Sequence, residues 1–150
     1  MTIENATELA REDEREGKSP STQAGEFVRE EFHHIREGKH GARSTKQAIA
    51  IGLSKARRAG VRLPPPKRGG VPEEVRRHAK RDFEKGKRGN GGRSASPARS
   101  RAISGALRHE GHQAASKTAI SRQAHRSAGK RTSAERSAAA RKAATTRLAE

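Results

Sequence analysis

The chain has 150 residues, 34 Lys/Arg against 17 Asp/Glu, a formal charge of +17, and no cysteine, tryptophan or tyrosine. Leu, Ile, Val and Phe number only 18, too few for a large core, whereas 25 alanines favour helices that bury little surface. Disulfides, thiolate metal sites and a cysteine nucleophile are excluded, and no apolar run approaches the roughly 20 residues of a membrane span. The expected fold class is all-α: short helices with little core, an αα-hairpin around 20–60 and a partly disordered basic tail.

Residues 1–37 carry five basic and ten acidic side chains, and residues 38–150 carry 29 and seven. An acidic head on a basic body is the pattern of a polyanion binder with an acidic arm. The head also lacks the apolar stretch of a signal peptide, so a cytoplasmic setting is expected. Four segments follow: a flexible acidic arm over 1–18, a helical hairpin over 19–63, a basic helix with Pro/Gly-flanked linkers over 64–93, and a low-complexity helical or disordered tail over 94–150.

In chain order, Ser19-Pro20-Ser21 opens a helix reaching about Glu37, with Ala24, Val28, Phe32 and Ile35 as its stripe and Phe27 beside it. Gly38–Arg43 is the turn. It is longer than the three or four residues of a helix-turn-helix, so a plain αα-hairpin is expected. Ser44–Gly60 is the best punctuated helix: Ser44 and Gln47 form a capping box, cations fill the last turn, and Gly60 ends it before Pro64-Pro65-Pro66. Ala48, Gly52 and Ala56 recur at i, i+4 and i+8, a row along which a neighbouring helix could approach closely. Ile51 falls on the opposite side, between Lys55 and Arg58, either as a stray exposed residue or as a contact for a protein partner.

The block from Lys39 to Lys67, KHGARSTKQAIAIGLSKARRAGVRLPPPK, resembles the signature of a family of small, basic, functionally uncharacterised bacterial proteins. Some of them carry the label plasmid-stabilisation protein, and many pair the block with an Ala/Arg/Ser-rich tail. The resemblance implies a bacterial, cytoplasmic protein and brings no assigned catalytic or binding residues.

Beyond the prolines, Pro72 at the first helical position and Glu73-Glu74 start a helix that ends by Gly86. The Gly-rich linker Lys87–Arg93 lacks the Gly-Lys-Ser/Thr and strand context of a phosphate-cradling loop. Three further helices start at Ser96-Pro97, at Ser116, and at Thr132 with Glu135 as a second capping box.

Histidines are the only candidates for metal or acid-base work. Glu30 with His33 and His34, and His109 with His112, are the best partial sets, but neither has an evident further ligand. Surface histidines, no metal, no cofactor and no enzymatic activity are therefore expected. The positive signal is basic charge without aromatics: stacking platforms for single strands or RNA are lacking, and phosphate contact with duplex DNA fits better. Candidate contacts are Lys46, Lys55, Arg57 and Arg58 in the central helix and Arg76, Arg77, Lys80 and Arg81 in the next. Arg99, Arg101, Arg122, Arg126, Arg131 and Arg141 extend the footprint along the tail. The expectation is sequence-nonspecific binding by a nucleoid- or plasmid-associated protein, with a protein-docking adaptor or an RNA- or ribosome-associated factor as alternatives.

Overall fold

A computed structural model of the chain describes residues 3–89 and 96–148. Among the described residues the chain is all-α. The helices are α1 (Ile3–Arg15), α2 (Pro20–Arg36), α3 (Thr45–Arg58), α4 (Glu73–Lys87), α5 (Pro97–Arg108), α6 (Lys117–Gly129) and α7 (Ser133–Leu148), with a 3-10 turn at Gln113–Ala115. Most of the expected linker between α4 and α5 lies outside the described residues.

Helices start where side chains meet the orphan amide groups of a first turn. Ser44 Oγ accepts from the Gln47 amide at 3.2 Å, and Gln47 Oε1 accepts from the Arg43 amide at 2.7 Å. The box thus closes one residue earlier than its standard form. Ser96 and Ser116 cap α5 and α6 through the Arg99 and Ala119 amides. Thr132 and Glu135 form the reciprocal box of α7, at 3.2 and 2.7 Å. Pro72 proves to be the N-cap of α4 rather than its first helical residue.

Gly60, at φ +102°, ends α3 in a Schellman turn: its amide bonds the Arg57 carbonyl, and the Val61 amide bonds that of Ala56. The chain then reverses, and Val61 packs beside Ala56.

The hairpin of α2 and α3 is the centre of the molecule. Two small clusters flank it: Ala6, Ala10, Ala24, Phe27, Ala56 and Val61 at one end, and Ile35, Ala42, Ala48, Ala114 and Ala115 at the other. Both are alanine-rich, so backbones close on one another where bulk is missing. At the crossing, a β-carbon on Gly52 would lie 2.7 Å from the Val28 Cα.

The acidic head differs from the flexible arm expected. Ala6, Ala10 and Asp13, at i, i+4 and i+7, are all buried, and α1 packs on α2. Lys18 binds Asp13 at 3.0 Å and Glu16 at 2.6 Å, which pushes its pKa above the usual lysine range. Its carbonyl accepts from Gln23 Nε2, tying the turn to α2.

The start of the tail is tied down as well. The Gly41 and Ala42 amides donate to the Leu107 and Gly111 carbonyls at 2.8 and 3.0 Å. Thr45 Oγ1 donates to the Ala114 carbonyl, and Arg36 Nε to that of Ala115, both at 2.8 Å. By contrast, every described side chain of α7 is exposed.

Candidate nucleic-acid interface

The cations expected to contact phosphate fall into two groups. Lys55 and Arg57 are engaged inside the fold. Lys55 Nζ lies 2.6 Å from Oε2 of the fully buried Glu31. Arg57 is only 7% exposed and donates to the Leu63 and Pro64 carbonyls, pinning the proline-rich exit against α3. Burial pushes the Arg57 pKa down, and the charge of Asp82 opposes that shift. Both residues hold the scaffold together and offer no free cation to a polyanion.

Arg58 is exposed, with its Nε 3.9 Å from Asp82, whose other oxygen accepts from Ser54 at 2.6 Å. Asp82 thereby joins α4 to α3. Arg76 is paired with Glu73 at 3.1 Å and is half-buried. The remaining cations are more open. Arg77, Lys80 and Arg81 share the exposed side of α4, at i, i+3 and i+4, with the Arg81 guanidinium against the His78 ring. Phe83 is half-buried, with Lys87 Nζ over its ring 5.5 Å from the centre.

Lys46, Arg99, Arg101, Arg122, Arg126, Arg131 and Arg141 are all exposed. Among the described residues, no ion pair engages Arg99, Arg101, Arg122, Arg126 or Arg141. Arg122 and Arg126 stand one turn apart on α6, which packs on α3 as α4 does. Between these three helices lies a groove of about 740 Å³, floored by Ile49, Leu53 and Val75 and bordered by Lys46, Lys130 and Asp82. The acidic α1 packs on the other member of the hairpin, α2.

The glutamates of α2 face inward, which the helical stripe read from the sequence did not include. Glu26 binds Arg29 at 2.9 Å, and Glu31 faces Lys55 and His40. Glu30 is fully buried, and neither of its carboxyl oxygens has a hydrogen-bond partner. The partial set of Glu30, His33 and His34 is not brought together: His33 turns to Glu37 at 2.9 Å. Lys39 first, and His33 after it, hold the Glu37 carboxyl below the usual range. A different trio is brought together: Glu31, His34 and His40, with donor atoms within 4.8 Å of one another. His40 lies in the turn, so its approach depends on the path after Gly38 and leaves no periodic signal.

No described helix is long and apolar enough to cross a membrane. No curated protein and no solved structure matches the chain. Residues 19–68, which span α2, α3 and the proline-rich exit, match a family of unknown function (DUF6496).

Proposed function

We propose that the protein is a non-enzymatic binder of duplex DNA that grips the phosphate backbone without reading sequence. One observation carries this reading: Arg99, Arg101, Arg122, Arg126 and Arg141 are exposed with no ion-pair partner among the described residues, on helices with little apolar surface to bury. Arginine suits bidentate phosphate contact, and such contacts release counterions. Arg77, Lys80, Arg81 and Lys46 continue the cationic surface onto the body. The finer version is a bacterial, cytoplasmic protein associated with chromosome or plasmid, in keeping with the plasmid label borne by proteins that share the Lys39–Lys67 block.

In this reading α7 is an arm. Its helix is capped but exposes every described side chain, and helices without a buried face are marginal in water. Phosphate neutralisation of Arg136, Arg141 and Arg147 would stabilise it on the duplex.

The test is fluorescence anisotropy on several unrelated duplexes. Arg122→Ala and Arg126→Ala each weaken binding about equally across sequences and lower the salt slope by roughly 1. Weakening on one duplex alone would contradict the reading. RNA that co-purifies and outcompetes duplex DNA would replace it with an RNA-associated role.

A further inference from the structure

We infer that the α2–α3 turn carries a site for a divalent transition cation of the zinc type, held by Glu31, His34 and His40. Glu31 and His34 stand at i and i+3 near the C-terminal end of α2. Gly38, at φ +75°, reverses the chain so that His40 returns over that end. Imidazole nitrogen and carboxylate oxygen are the donor set that zinc and its neighbours accept. One donor atom from each of the three residues already lies within 4.8 Å of the other two.

His40 Nδ1 lies 3.1 Å from the Gly41 carbonyl oxygen and donates to it, which directs Nε2 at Glu31 Oε1, 3.2 Å away. No well-aligned hydrogen bond joins that pair, for Oε1 is buried without a hydrogen-bond partner. His40 Nε2 and Glu31 Oε1 thus stand at ion-pair distance, and a metal ion bound between them would take the place of that contact. Lys55 at 2.6 Å holds the second carboxylate oxygen, and the Gly41 carbonyl holds the ring of His40. Outer contacts of this kind orient metal ligands. The His34 and His40 rings meet edge-on, 6.3 Å apart at 74°. Binding an ion at roughly 2.0–2.2 Å would draw the His34 donor inward, with His40 kept in place by Gly41.

The Lys55 ammonium discounts the carboxylate charge, so affinity falls below that of thiolate sites. Magnesium and calcium, which demand more oxygen ligands, are disfavoured. A bound ion would brace the turn whose Gly41 and Ala42 amides anchor the start of the tail. This site stands apart from the proposed DNA contacts and does not depend on them.

The experiment uses untagged, full-length protein stripped with EDTA. Isothermal titration with zinc at neutral pH is expected to show one equivalent, and thermal unfolding to shift upward with zinc but not with magnesium. His34→Asn and His40→Gln each weaken zinc binding at least about tenfold, whereas His33→Asn leaves it unchanged. Cobalt(II) bound to the wild-type protein gives a second measurement, independent of any variant's folding: an intense visible spectrum of low coordination supports the site. Absence of one-equivalent binding, equal weakening by His33→Asn, or a weak octahedral cobalt spectrum would each overturn it.

Discussion

Gly52 of α3 sits against the backbone of Val28 of α2, so close that an added β-carbon would lie 2.7 Å from the Val28 Cα and 3.0 Å from its nitrogen. Those atoms belong to a helix main chain and cannot swing aside. The missing side chain is what lets two helices with so few bulky residues share a core. Gly52→Ala gains about 1 kcal/mol of helix propensity, but overpacking costs more, typically up to about 3 kcal/mol. Urea unfolding is expected to show a net loss for Gly52→Ala. Gly25→Ala, in open space on α2, should gain up to about 1 kcal/mol.

Glu30 gives the opposite expectation. Its carboxyl group is fully enclosed and has no hydrogen-bond partner, so folding strips its water without replacement. Glu30→Met, similar in volume, is expected to stabilise the protein by about 1–3 kcal/mol in the same unfolding assay.

Lys55 was expected at a phosphate and instead compensates Glu31. Lys55→Met leaves a buried carboxylate without its ammonium and should cost about 3 kcal/mol or more. The double variant Lys55→Met with Glu31→Met should recover much of that loss. Duplex affinity of the folded double variant is expected to stay within about twofold of wild type, because Lys55 faces inward; a change in salt slope would return it to the interface.

The capping box of α7 makes its helix acid-sensitive. The Thr132 backbone amide, and then its hydroxyl, hold the Glu135 carboxyl below its ordinary range. A lowered folded-state pKa means that the stabilisation is complete above the unfolded value of about 4.3 and is lost as pH falls through the folded one. Backbone chemical shifts of residues 133–136 should therefore be more helical at neutral pH than in acid, moving toward coil as pH falls. Thr132→Ala with Glu135→Gln should flatten that dependence.

Much of this architecture is written in local signals. Ser44, Ser96, Ser116 and Thr132 mark helix starts because capping is decided within four residues, and the Ala48-Gly52-Ala56 row announces a close helix crossing. What escaped the sequence depends on distant partners. Ala6 and Ala10 are too small to signal burial, yet they fill space beside Phe27. The tail docks on the hairpin turn partly through main-chain bonds at Gly41 and Ala42, which leave no side-chain pattern, and the Thr45 and Arg36 bonds to Ala114 and Ala115 link residues 69 and 79 positions apart. Arg57 reads as a last-turn surface cation but satisfies carbonyls of the proline-rich exit, and only the path after Gly60 shows this. His40 joins Glu31 and His34 for the same reason, through the turn after Gly38.

The most direct test of the central claim is a titration of nuclease-treated protein against a labelled random duplex and an equal-length single strand at several salt concentrations. Contact with about 6–10 phosphates predicts a fall in duplex affinity of roughly 10³–10⁵ between 50 and 200 mM salt, with duplex preferred over single strand. No duplex binding at low salt, or binding indifferent to salt, would contradict the account.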